Sequence, residues 1–175
     1  MTRTDGPNLW GGVTGRLATD LASTPPTLDP VTDTVQTERS LVLVKPDGFR
    51  RGLTGEVLRR VEAKGYTLVA LDVLTPTREQ LAAHYAEHEG KPFYEPLLEF
   101  MSSGPVTAAV IEGQGCIPGF RSLAGATDPT AAAPGTIRGD LGRDWGVKVQ
   151  QNIVHGSDSP ESAAREIAIW FPNLA

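Results

Sequence analysis

Glu38-Arg39-Ser40-Leu41-Val42-Leu43-Val44-Lys45-Pro46-Asp47-Gly48 is the stretch that decides how the chain folds. Ser40 to Val44 is a five-residue β-prone run, and Pro46-Asp47-Gly48 after it is a turn sequence, so Lys45 stands where a strand ends. Downstream, Leu53 to Tyr66 places Val57, Leu58 and Val61 on one helical face with charges on the other, and Gly65 stops it. Tyr66 to Leu74 reads as a second strand. Pro76 and Thr77 open a helix that is expected to run to Gly90, and Pro92 to Met101 suggests another. Val106 to Ile111 is a third strand, after Gly104-Pro105. Gly113 to Gly146 reads as loop except for a helical stretch near Phe120 to Ala124. A β-prone run at Asn152 to Val154 precedes His155-Gly156, and a helix with Pro160 in its first position runs from Ser159 to Trp170-Phe171-Pro172. Strands interleaved with helices in this order predict an α/β sandwich on one sheet, closer to a split βαβ arrangement than to a doubly wound sheet.

Upstream, residues 1 to 36 are rich in Thr, Pro and Gly and lack sustained apolar periodicity, which predicts a flexible N-terminal extension. That segment has only Arg3 and Arg16 against four Asp, with no basic stretch followed by an apolar one, so no secretion signal is read there. The 175 residues are enough for one domain with its own core. A net charge of −5 and a pI near 5.2 argue against nucleic-acid binding through bulk charge, and no apolar run is long enough to span a bilayer. Cys116 is the single cysteine, so an intramolecular disulfide and a cysteine zinc cluster are excluded, which suits a cytoplasmic location. Nineteen Gly and fourteen Pro make up nearly a fifth of the chain, where about 12% is usual. Eight of those Gly and three of those Pro fall between Gly113 and Gly146.

The common nucleotide motifs are missing. Gly90-Lys91 is followed by Pro92, so no P-loop exists, and the third glycine of a dinucleotide fingerprint starting at Gly113 would fall on Pro118. His84-Tyr85-Ala86-Glu87-His88 fits the H-x-x-E-H pattern of inverted zinc peptidases, with His84 and His88 as ligands and Glu87 as base, though the helix carrying it is short. His155 differs, because a strand end beside a glycine can present a side chain to a cleft. Lys45 stands at another strand end, and Arg121, Thr127 and Arg138 lie in the Gly/Pro-rich segment. Two guanidiniums, an ammonium and a hydroxyl are the groups that hold a polyphosphate where no P-loop is present.

These residues carry a family resemblance. From about Glu38 to Phe171 the chain resembles the nucleoside diphosphate kinases: Asn152-Ile153-Val154-His155-Gly156-Ser157-Asp158-Ser159 is similar to the motif around that family's phosphohistidine. Val44-Lys45-Pro46-Asp47-Gly48, His84-Tyr85, Lys91-Pro92-Phe93, Ser103-Gly104-Pro105-Val106 and Pro134-Gly135-Thr136-Ile137-Arg138-Gly139-Asp140 match as well, in the family's order. The resemblance implies a ferredoxin-like βαββαβ sandwich, an antiparallel four-stranded sheet with helices packed on it, over residues 37 to 175. It implies ping-pong transfer of the γ-phosphoryl group of a nucleoside triphosphate such as ATP to a nucleoside diphosphate, by way of a phosphohistidine on His155.

By the same resemblance the δ nitrogen of His155 attacks, with Glu166 and Ser157 orienting the ring. Arg121, Thr127 and Arg138 are implied as phosphate ligands. Lys45 and Asn152 are implied at the ribose hydroxyls and phosphate end, Tyr85 near the transferred group, and Phe93 and Val149 on the faces of the base. Mg²⁺ is implied as cofactor, held mainly by nucleotide phosphates rather than by protein ligands, and a homo-oligomer, tetramer or hexamer, as the assembly. Three departures stand out. The segment between Asp140 and Asn152 is about four residues longer than usual in the family, which bears on Val149. Gln151 replaces a frequent arginine. The chain stops soon after its last helix, without the C-terminal arm of longer members. Two other readings compete: a catalytically inactive regulatory member of the same fold, and the zinc peptidase.

Overall fold

The computed structural model describes Thr2, residues 37–146 and residues 151–174. The expected flexible extension therefore lies, Thr2 aside, outside the described residues. Ser40 to Val44 belong to strand β1 (Thr37–Val44), where successive side chains point to opposite faces. Leu41 and Leu43 enter one apolar core and Val42 and Val44 another. The run is apolar without alternation because β1 is buried on both faces. Each of these side chains contributes roughly 1.5–3 kcal/mol by leaving water, so β1 ties both layers to the sheet.

After β1 the chain forms α1 (Pro46–Arg50), α2 (Thr54–Ala63), β2 (Thr67–Leu74), α3 (Arg78–His84), α4 (Tyr94–Met101) and β3 (Val106–Gln114). It continues through α5 (Cys116–Ala124), α6 (Ile137–Leu141), β4 (Val154–Gly156) and α7 (Pro160–Trp170). The sheet order is β2-β3-β1-β4 and every neighbouring pair is antiparallel, which is the ferredoxin-like topology with α3 and α4 inserted between β2 and β3. Leu43 pairs with His155, so the most buried strand fixes the height of that imidazole in the sheet. α7 is capped by Ser159, whose Oγ accepts the Ser162 N–H at 3.1 Å, and it buries Ala163, Glu166, Ile167 and Trp170 on one stripe. A carboxylate on that apolar stripe needs a partner, and the site below supplies it.

Four local expectations are corrected. Pro46-Asp47-Gly48 begins the one-turn helix α1 instead of a simple turn. The helix expected to reach Gly90 stops at His84, and Ala86–His88 continue as a tighter 3₁₀ turn. His84 and Tyr85 are both buried, and the change of winding lets adjacent residues face the interior while Glu87 stays outside. The loop-like segment holds α5, which starts at Cys116, and the short α6. The last strand begins at Val154 rather than Asn152, because Ile153 has a φ of +70° and cannot continue a strand.

Candidate active site

A cleft of about 710 Å³ opens beside β4, lined by Lys45, Tyr85, Phe93, Arg121, Thr127, Arg138, Asn152, His155 and Glu166. Ser157 sits behind it, fully buried, and Val149 lies outside the described residues. The structure thus gathers residues from six separate segments of sequence.

His155 is positioned by its strand and by one carboxylate. Its Nε2 lies 3.1 Å from Glu166 Oε2, and the same oxygen accepts the Ser157 hydroxyl at 2.7 Å. Ser157 Oγ in turn accepts the Leu41 N–H at 3.1 Å, so the relay ends on the backbone of β1. A carboxylate only accepts, so the ring proton sits on Nε2 and the lone pair on Nδ1. Glu166 is 4% exposed and His155 is half-buried, which leaves the carboxylate dry and the imidazole reachable.

The cations are arranged around the backbone that carries this imidazole. Lys45 Nζ donates to Asn152 Oδ1 at 2.7 Å, and Asn152 Nδ2 donates to the Thr127 carbonyl at 2.8 Å. Burial pushes the Lys45 ammonium down to about 8; Arg138 adds to the fall and Asp47 opposes it. Arg138 is bound through Nε to the Asn152 carbonyl at 3.1 Å, Nη1 to Gly125 at 2.8 Å and Nη2 to Val154 at 2.7 Å. These use three of the five N–H donors of a guanidinium, so two remain for a ligand. Burial, then the neighbouring Arg121, lower Arg138 to about 10, which leaves it cationic at neutral pH. Gly125 is needed where the segment doubles back: its φ is +82°, and a Cβ there would come 2.4 Å from Thr136 Oγ1.

Between Asn152 and His155 the backbone is strained. The Val154 N–H donates to the Asn152 carbonyl at 2.7 Å, closing a three-residue turn around Ile153 at φ +70°. A β-branched residue held there costs about 1–3 kcal/mol, so the surroundings must enforce it. The Ile153 N–H donates to Asp47 Oδ2 at 3.0 Å and its carbonyl accepts the Lys45 N–H at 2.7 Å. In the sequence Asp47 stands in a turn and in a family-like motif, and neither points to this contact.

The zinc motif is not assembled. His84 ends α3, buried, and its Nδ1 accepts the Trp170 indole N–H at 3.2 Å, whereas His88 packs beside Tyr85 and Phe93. Among the described residues, the metal-capable atoms that come within 4.8 Å of one another belong to His84, His155 and Glu166. Indole only donates, so the His84 proton sits on Nε2, and that nitrogen has no lone pair for a metal. Sequence reasoning missed Trp170 as a partner of this histidine; an indole seven residues after an apolar Ala163 reads simply as core. Tyr85 packs edge-on to His155 with ring centroids 6.4 Å apart, and burial raises its hydroxyl, so it stays protonated. Phe93 is 45% exposed at the cleft mouth.

The nucleoside diphosphate kinase family model matches residues 38–175. The chain belongs to the nucleoside diphosphate kinase family. A nucleoside diphosphate kinase of Mycolicibacterium gilvum (strain PYR-GCK) is 61% identical over 139 residues, covering 79% of this chain and 99% of that protein. One from Streptomyces coelicolor is 60% identical over 137 residues, covering 78% and 97%. Among solved structures, a nucleoside diphosphate kinase family protein from Babesia bovis is 47% identical, with a TM-score of 0.73 over 78% of this chain and 90% of that one. A halophilic nucleoside diphosphate kinase from Halobacterium salinarum, in complex with CDP, is 46% identical with the same TM-score, covering 78% and 88%. Like the kinases it resembles, the chain is a phosphotransferase acting between nucleoside triphosphates and diphosphates. The inactive member and the zinc peptidase are not favoured. No helix among the described residues is long and apolar enough to cross a membrane.

Proposed function

We propose that His155 is the phosphoryl carrier of this kinase. What carries the reading is the Glu166 hydrogen bond to Nε2, which leaves Nδ1 as the nucleophilic ring atom in a cleft lined by Lys45, Arg121 and Arg138. In the first half-reaction the Nδ1 lone pair forms a bond to the γ-phosphorus. The bond to the bridging oxygen breaks, and the nucleoside diphosphate leaves with the electron pair. In the second, a terminal phosphate oxygen of the acceptor diphosphate attacks the same phosphorus and the N–P bond breaks, restoring the imidazole. A neutral imidazole is a competent nucleophile near pH 7, and Glu166 supports the positive charge that grows on the ring. Little covalent work remains for the protein. Arg121, Arg138, Thr127 and Lys45 hold the phosphates and stabilise charge on their oxygens, while Tyr85 packs beside the ring.

Mg²⁺ belongs to the substrate. It prefers hard oxygen ligands, and the Glu166 carboxylate is already engaged with Ser157 and His155, so the nucleotide phosphates would supply the oxygens. Phe93 offers one apolar face to the base, which suits tolerance of purines and pyrimidines because stacking reads no hydrogen-bond pattern. Val149 is proposed for the opposite face. The protein works as a homo-oligomer in the cytoplasm: β2 is an edge strand whose Leu71 and Val73 are 51% and 53% exposed, a surface that a second copy would cover. The kinase domain spans residues 37 to 175, and residues 1 to 36 are an appendage to it.

Incubation with γ-labelled ATP and Mg²⁺ tests the carrier. Acid-labile, base-stable label on the wild-type protein and none on His155→Ala is the expected result. Equal labelling of His155→Ala, or none on the wild type, overturns it.

A further inference from the structure

The strained residue Ile153 is fastened to α1 through both of its backbone polar groups: the Asp47 carboxylate takes its N–H and the Lys45 N–H reaches its carbonyl. Gly48 completes the contact, since a Cβ there would come 3.0 Å from the Ile153 side chain and 3.1 Å from its carbonyl oxygen. Asp47 itself is 3% exposed, and its second oxygen, Oδ1, is buried without a hydrogen-bond partner. A neutral amide oxygen could hold the same N–H, and a buried carboxylate with an unpartnered oxygen is costly to fold. Its charge therefore calls for a use. The charged and titratable groups facing Lys45 are Arg138 from α6, Asp47 from α1 and the neutral His84 from α3. Of these only Asp47 is an anion, and it acts on Arg138 with the same sign.

We propose that Asp47 is a positioning residue for phosphoryl transfer: its carboxylate clamps the Ile153 turn that presents Asn152 and His155, and its negative charge offsets the buried cations Lys45 and Arg138. The proposal rests on the reading of His155 as the carrier. It assigns Asp47 no contact with the nucleotide. Removing the clamp lets the turn relax, which moves the Lys45 ligand Asn152 on one side and the imidazole on the other. A displacement of about 1 Å costs on the order of 10²-fold in rate. Removing the charge alone leaves the turn held, but makes Lys45 easier to deprotonate.

The test uses the full chain as Asp47→Ala and Asp47→Asn, with single-turnover labelling, kcat and KM, and the pH profile of kcat/KM. Asp47→Ala is expected to lower kcat about 10²-fold with a smaller effect on KM. Asp47→Asn retains an acceptor for the Ile153 N–H and is expected to recover most of that loss at pH 7. Its alkaline limb is expected to move to lower pH, since Lys45 has lost its anion. An unmoved limb in Asp47→Asn overturns the proposal, whatever Asp47→Ala does, and so does a wild-type kcat in folded Asp47→Ala. If Asp47→Ala does not fold, the limb of Asp47→Asn decides. Label on His155→Ala removes the carrier reading instead, so the two failures are distinguishable.

Discussion

Replacing Arg138 with Ala removes three hydrogen bonds at once, those to the carbonyls of Gly125, Asn152 and Val154. A guanidinium at this depth has lost part of its hydration, which offsets some of what those bonds contribute, so a cautious value is about 1 kcal/mol for each acceptor left unpaired. The sum is about 3 kcal/mol. For a domain of this size each kcal/mol shifts Tm by roughly 2–4 °C, which predicts a fall of about 6–12 °C. The activity loss comes from different donors, the two N–H groups that point to no carbonyl. Removing one preorganised donor to a developing anion typically costs about 10²–10³-fold in kcat. Thermal unfolding followed by circular dichroism and a coupled assay of triphosphate formation, on the same preparation, separate the effects. Arg138→Lys keeps the charge but lacks the planar fork, so it is expected to restore little of either. An unchanged Tm in Arg138→Ala would refute the bracketing role. Wild-type kcat in either variant would refute the phosphate role.

Glu166→Gln exchanges a charged acceptor for a neutral one, a difference of about 1–1.5 kcal/mol in support of the ring, so single-turnover phosphorylation of His155 should slow about tenfold. A rate within twofold of wild type would show that the carboxylate is structural only. Lys45, lowered from the ordinary 10.5 to about 8, should impose a fall in kcat/KM above pH 8 in the free enzyme. Its effect on stability has the opposite sign. Between pH 8 and 10.5 the unfolded chain holds the proton that the folded chain has released, so this residue makes the fold more stable as pH rises there. Lys45→Met should abolish that contribution, which thermal melts across the range would detect; identical pH slopes in the two proteins would argue against it. A chain beginning at Thr37 should keep wild-type kcat and KM; a folded but inactive truncation would give residues 1 to 36 a catalytic task.

The layout of the sheet was legible because each strand is an apolar or β-branched run bounded by Gly, Pro or charge, as in Leu41 to Val44. Short helices were not. α1 and α6 have five residues each, too few for a helical period to register, and both form because their neighbours hold them. The left-handed Ile153 runs against its own propensity, and no local pattern announces that. Asn152-Ile153-Val154, with its two β-branched residues, reads as strand until Asp47, more than a hundred residues away in sequence, takes the Ile153 N–H. Most candidate residues at the cleft were named through motif resemblance, and the structure brings the described ones together. Asp47 and Trp170 escaped because their partners are long-range and their residue types have ordinary local explanations, a turn former and a core aromatic.

The two neighbouring imidazoles show why pairing decides role here more than residue type. His84 and His155 meet edge to face with ring centroids 4.6 Å apart, yet each has a partner of opposite character. Glu166 only accepts, so His155 keeps its lone pair on Nδ1; Trp170 only donates, so the lone pair of His84 is occupied. Burial, followed by the nearby His155, Arg165 and Lys45, pushes His84 well below the usual histidine range, so it stays neutral at physiological pH. A second positive ring at that separation would oppose the charge that grows on His155 during attack by about 3–4 kcal/mol at an effective dielectric of 20. That is between two and three decades in rate. A neutral His84 therefore leaves the neighbouring imidazole free to become cationic, and the two rings divide in role because His155 meets a carboxylate and His84 an indole N–H.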